Sequence, residues 1–128
     1  MGNITEATEN YLETILVLSQ HQKEVHAVDI CTELGYSRPT VSEFLKGMRE
    51  KGLVEVDANN HLWLTEAGRS VAEDVYSRHN TLVRFLNSIG VDLETAEEDA
   101  CKIEHDISYQ TIQCIRRFLK EQKTTKDR

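Results

Sequence analysis

"GYSRPTVSEFLKGMREKGLVEVDANNHLWLT", residues 35–65, decides the fold. Gly35 suits the left-handed position that ends a short helix over 27–34. Ser37 is a good N-cap, and Pro39 falls in the first helical turn, where its missing N–H costs nothing. The helix so begun turns Val41 and Phe44 inward and stops near Gly52. Ser37, Arg38, Thr40, Ser42, Glu43 and Lys46 then face outward. Leu53, Val54 and Val56, a polar Asp57–Asn60 turn, and Leu62, Trp63 and Leu64 read as a hairpin. Two helices joined by a glycine turn and followed by a two-stranded ribbon are the layout of a winged helix-turn-helix. Cys31 supplies a small residue where the helices cross, and Trp63 is expected to pack the wing onto the core.

Outward from this stretch the chain is helical. Thr5 caps a first helix to about Ser19, with Ala7, Tyr11, Ile15 and Leu18 on one face at helical period. Thr65 caps a long helix to about Asn87, with Val71, Val75, Leu82 and Leu86 as its buried line, and Gly90 ends it. A fifth helix is expected over 93–105 and a sixth over 108–122, leaving KEQKTTKDR as a charged, frayed end.

The 128 residues suit one ordinary core or two small domains sharing one, against roughly 100 to 200 residues per domain. Composition fits a soluble, helix-rich protein: 39% hydrophobic, 29% charged, one proline. No apolar run reaches a membrane span, and MGNITEATEN lacks the features of a secretory signal, so a cytoplasmic location without membrane partners is expected. Three cysteines without a pairing pattern fit reduced thiols there. The formal charge of −7 is unevenly spread. Residues 36–52 carry a balance of +2 and can meet phosphate, whereas residues 92–106 carry −6 and favour cations. The amino-terminal end of the third helix is expected in the major groove, with hydroxyls and Arg38 reaching base edges.

The acidic segment holds Cys101, Glu104 and His105, which share an arc of about 100° on a helix of 3.6 residues per turn. His79 falls on the apolar line of the long helix, where a satisfied core histidine is the ordinary alternative. Asn10 and Glu13 stand beside the buried Tyr11 and Ile15, and Asn10 also reads as a plain surface amide. Imidazole, carboxylate and thiolate together suit a divalent transition metal, whose charge offsets the cost of burying acids.

The runs TENYLETIL, YSRPTVSEFLKGMREKGLV, HLWLTEAGR, RHNTLVRFLNSIGVD and ACKIEHDIS resemble the diphtheria-toxin-repressor family of metal-dependent transcriptional regulators, collinearly over about residues 4–122. The resemblance implies a mainly α protein: a winged helix-turn-helix DNA-binding domain over 1–70 and a helical metal-binding and dimerisation domain over 71–128. It implies a homodimeric repressor that binds a palindromic double-stranded operator when loaded with ferrous iron or manganese. Carried over by position, the metal set is Asn10, Glu13, His79, Cys101, Glu104 and His105. The DNA-binding set is Ser37, Arg38, Pro39, Thr40, Ser42, Glu43, Lys46, Arg49 and Asn60. The chain ends where larger members continue into an SH3-like domain, so it is more similar to the short manganese-transport-regulator branch.

Three positions depart from the pattern. Asn10 replaces the aspartate of manganese-type members or the methionine of iron-type members, Cys101 is iron-type, and Val83 replaces an acid of a secondary iron-type site. The thiolate tilts the expected metal slightly toward Fe(II) over Mn(II), with Zn(II) or Co(II) possible in vitro. An ion joining Glu13 to Cys101, Glu104 and His105 is expected to set the spacing of two recognition helices, about one DNA turn or ~34–36 Å. Ile103, Ile107, Ile112 and Ile115, with Cys114, are expected at the dimer surface. One alternative is a winged-helix regulator that senses no metal. An enzyme is not expected, because neither a nucleophile elbow nor a metalloprotease helix is present, and no small organic substrate is implied.

Overall fold

The computed structural model describes residues 4–126, with side chains through Gln122. Residues 1–3 and the last two residues of the charged tail lie outside the described residues. Two compact units divide the chain, Met1–Asp74 and Val75–Arg128. Among the described residues, no helix is long and apolar enough to cross a membrane.

In the first unit, α1 (Glu6–His21) starts where the Thr5 hydroxyl accepts the Thr8 amide. Its buried face is Thr8, Tyr11, Leu12, Ile15 and Leu16. Ala7 is exposed, so the core stripe is rotated from the line expected through it. A two-residue strand, β1 (Val25–His26), leads directly into α2 (Ala27–Leu34), which ends at Gly35 with φ +73°. α3 (Arg38–Glu50) begins at Ser37, whose hydroxyl accepts the Thr40 amide. It buries Val41, Leu45 and Met48, while Phe44 stacks on Tyr11 at 4.1 Å.

The wing consists of β2 (Val54–Val56) and β3 (His61–Leu64). The sheet order is β1-β3-β2, antiparallel throughout. Strand β1 was not evident from sequence, because two residues are too short to show alternation. The wing turn is held by Asp57, whose Oδ1 accepts the amides of Asn59 and His61 at 2.9 and 3.0 Å. Asn60 takes φ +64° there, a conformation that asparagine tolerates. Trp63 corrects one expectation: it is 43% exposed and lies against the His61 ring. The pleat explains this, since Leu62 and Leu64 face the core and their neighbours must face away.

α4 (Glu66–Ser88) begins at Thr65, whose hydroxyl donates to the Gly52 carbonyl at 2.6 Å and accepts the Gly68 amide. The Leu53 carbonyl accepts the Thr65 amide, and a Cβ on Gly68 would stand 2.0 Å from that same carbonyl oxygen. This close approach ties the first turn of α4 to the start of the wing.

In the second unit, α5 (Leu93–Ile103) and α6 (Tyr109–Lys126) join the rest of α4. α5 ends two residues short of expectation, and α6 runs through most of the tail expected to fray. Leu82, Val83, Ala96, Ala100 and Ile112 form the core, with Ile103, Ile107 and Ile115 packed against it. These isoleucines therefore cover the unit's own core. The large apolar residues left exposed in this unit are Ile89, Leu93, Tyr109 and Phe118.

Gly68→Ala should destabilise the protein by about 1–3 kcal/mol or more, since backbone blocks the added methyl. Gly47→Ala, in α3 with nothing within 4 Å, should stabilise by about 0.5–1 kcal/mol. Urea unfolding of both variants checks the pair, and a neutral Gly68→Ala would contradict the packing.

The hydrogen bond from the His61 amide, then that from Asn59, holds the Asp57 carboxyl below its ordinary 3.8. The Thr95 amide and hydroxyl do the same for Asp92, the cap of α5. A depressed folded value means that stabilisation is complete above the unfolded value and is lost as pH falls through the folded one. Carboxyl NMR titration should therefore give both groups midpoints below 3.8, with wing amides losing exchange protection only at more acidic pH.

Candidate metal centre and nucleic-acid interface

His79 is 9% exposed on α4, one turn beyond Val75, and both of its ring nitrogens meet carboxylates. Nδ1 lies 2.8 Å from Glu104 Oε2, and Nε2 lies 2.6 Å from Glu97 Oε2. Cys101 Sγ stands 3.9 Å from His79 Nδ1. Ligand atoms of His79, Cys101 and Glu104 fall within 4.8 Å of one another. Small residues allow this, because Ala96 and Ala100 are fully buried and let α5 lie close in the core shared with Leu82 and Val83.

Glu104 caps the C-terminus of α5 and is 1% exposed. Arg78 donates to its backbone carbonyl, which fixes the chain at that point. Its Oε1 is buried with no hydrogen-bond partner, and His105 Nε2 is 3.5 Å away. The His105 side chain is itself 2% exposed. A buried carboxylate oxygen without a donor is costly. A divalent cation is the group that would satisfy it, and the surrounding imidazole, carboxylate and thiol donors fit a transition metal. The residues present therefore fit the group.

The arrangement departs from a single ligand stripe. Glu104 and His105 follow the end of α5, and Glu104 is buried while Cys101 is exposed. Glu97 was missed by sequence reading. Its position one helical turn before Cys101 was the available signal, obscured by the neighbouring acids Glu94, Glu98 and Asp99. Asn10 and Glu13 lie on α1 in the first unit, each half-buried. The Asn10 carbonyl accepts the Thr14 hydroxyl at 2.7 Å. Val83 is 8% exposed within the apolar core of the second unit.

On the first unit, Arg38, Ser42, Lys46, Arg49 and Asn60 come together along one groove of about 170 Å³ between α3 and the wing. Three cations and two polar side chains on its walls suit a phosphate backbone. Pro39, Thr40 and Glu43 line a different hollow, of about 650 Å³, with Phe44 and Met48. Ser37 and Thr40 are exposed, and their hydroxyls hydrogen-bond each other at 2.9 Å as part of the cap.

A winged helix-turn-helix followed by a helical unit with clustered transition-metal donors defines a class of DNA-binding regulators. Residues 3–62 match the family described as iron dependent repressor, N-terminal DNA binding domain. Residues 65–127 match its metal binding and dimerisation domain. The chain belongs to the iron-dependent repressor family of metal-dependent transcriptional regulators. It is 34% identical over 113 residues to the transcriptional regulator MntR of Escherichia coli O157:H7, covering 88% of this chain and 73% of that one. It is 32% identical over 122 residues to the diphtheria toxin repressor of Corynebacterium diphtheriae, covering 94% of this chain and 54% of that protein. Among solved structures, a manganese-dependent transcriptional repressor in complex with manganese superposes with a TM-score of 0.81 at 28% identity, over 88% of this chain and 52% of its own. The IdeR of T. acidophilum gives 0.77 at 26% identity, over 92% and 55%. The chain thus spans about half the length of these two solved structures.

Imidazole and thiol donors bind a metal only through an atom that has shed its proton, so ligation by His79 and Cys101 displaces protons. Metal uptake should therefore release protons, and apparent affinity should rise with pH. Calorimetric titration of zinc in buffers of differing ionisation enthalpy measures this; a heat independent of buffer would contradict ligation through the Cys101 thiol.

Proposed function

We propose that this protein is a metal-activated, homodimeric repressor whose palindromic operator is read by the first unit and whose metal is held in the second. The observation that carries the reading is the buried Glu104 carboxylate, one oxygen of which accepts no hydrogen bond, beside His79, Cys101 and His105. His79, Cys101, Glu104 and His105 would hold the ion, with Asn10 and Glu13 proposed on the strength of the family resemblance. When bound, the ion supplies the positive charge that this group of acids lacks. Cys101 supports Fe(II) over Mn(II), since thiolate is the softer donor; the manganese-dependent relatives keep Mn(II) as the second choice.

For DNA, α3 would enter the major groove while Arg38, Lys46, Arg49 and Asn60 take phosphates on either side of the helix-to-wing groove. α4 belongs to both units, Glu66 to Ser88, and so is the covalent route between reader and sensor. The exposed Ile89, Leu93 and Tyr109 are candidates for the dimer contact, because together they leave more apolar surface in water than a lone unit needs to expose.

The test is a shift assay on randomised duplex DNA, run anaerobically with chelator and then with iron, manganese or zinc restored. DNA affinity should rise ~5- to 150-fold per coupled site on metal addition. Arg49→Ala should weaken binding across all sequences and lower the salt slope by about one. Equal DNA affinity with and without metal would favour a winged-helix regulator that senses none.

A further inference from the structure

The turn end of the wing, where β1 joins the sheet, carries a second set of imidazoles and carboxylates that the proposed regulation does not use. β1 and β3 pair with His26 directly opposite His61. Opposed residues of an antiparallel pair project from the same face, with Cβ atoms about 4.5–5.5 Å apart. The two rings have centroids 6.1 Å apart. Each ring turns its Nδ1 toward an acid: His26 Nδ1 is 3.9 Å from Asp29 Oδ2, and His61 Nδ1 is 3.6 Å from Asp57 Oδ2. Both contacts are longer than a hydrogen bond, and a carboxylate that closes on one ring nitrogen supports a metal on the other. The third acid, Glu24, places Oε1 3.6 Å from His26 Nε2.

We propose that His26 and His61, with Glu24 as carboxylate ligand, form a second divalent transition-metal site of the zinc, cobalt or nickel class at the turn end of the wing. Two imidazoles and a carboxylate suit these ions. With metal–nitrogen bonds of about 2.0–2.1 Å, imidazoles sharing an ion hold their ring centres roughly 5–6 Å apart, close to the 6.1 Å between these two rings. Both histidines are partly open to solvent, 36% and 29% by side chain, which admits an ion and its remaining waters.

The consequence is mechanical. β1 runs without a break into α2, and β3 is the returning strand of the wing. An ion shared by His26 and His61 would fasten the wing to the start of the helix-turn-helix. The site is separate in residues and unit from the one around His79 and contains no thiolate.

Trp63, the single tryptophan, lies 5.4 Å from the His61 ring and serves as a built-in reporter. The experiment titrates Ni²⁺ into chelator-treated full-length Glu104→Ala protein, in which the His79 centre is disabled, and follows Trp63 fluorescence. Saturable quenching is expected, reversed by Zn²⁺ and weakened at least about tenfold in His26→Gln and in His61→Gln. Far-UV circular dichroism of both exposed-site variants verifies their fold. Quenching that fails to saturate, or that is as strong in either histidine variant as in the Glu104→Ala parent, would overturn the proposal. Metal-dependent DNA shifts by protein with Glu104 intact report the other centre, so either reading can fail alone.

Discussion

Everything in the second unit is arranged around a carboxylate that has been taken out of water. Glu104 is 1% exposed, one oxygen is engaged by His79, and the other accepts no hydrogen bond and lies 3.5 Å from His105 Nε2. Removing an ionised carboxylate from solvent costs several kcal/mol even after relaxation, unless opposite charge and hydrogen bonds repay it. The surrounding structure gives Glu104 little room to escape. Its amide bonds to Ala100 within α5, Arg78 holds its carbonyl, and Ala96 and Ala100 keep α5 in the core. A fixed acid among imidazoles and a thiol is a poor way to stabilise a fold and a good way to recognise a cation.

The first unit follows a different logic, in which backbone and polar caps create a stiff reading surface. Ser37 starts α3, Gly35 turns the chain before it, and Asp57 closes the wing with two amide hydrogen bonds. Thr65 bonds Gly52 and Gly68 at once, so the end of α3, the wing and the next helix meet at one junction. Such surfaces suit DNA because the position of phosphate-facing cations depends on few rotatable elements.

Much of this was legible in the sequence, since capping chemistry is local. Ser37, Pro39, Gly35, Asp57 and Thr65 announced helix and turn boundaries that the structure reproduces to within a residue or two. The losses were of the kind that local pattern cannot report. Strand β1 exists only because Val25 and His26 find Leu62 and His61 across the sheet. Trp63 looked like a core residue until the pleat assigned it to the outer face. Ile112 looked like dimer surface because the core it fills is made by residues from three separate helices. Within the cluster of candidate metal donors, Cys101, Glu104 and His79 were visible by type and spacing, whereas Glu97 was one acid among many until its 2.6 Å contact with His79 set it apart.

The account turns on whether Glu104 is there for a cation. Anaerobic calorimetry of chelated protein with Mn²⁺, comparing the natural chain with Glu104→Gln, addresses this directly, because glutamine keeps the shape and removes the charge. Saturable binding by the natural chain that weakens at least about tenfold in the variant is the predicted result. Equal binding by both proteins, or none by the natural chain with manganese or ferrous iron, would contradict it.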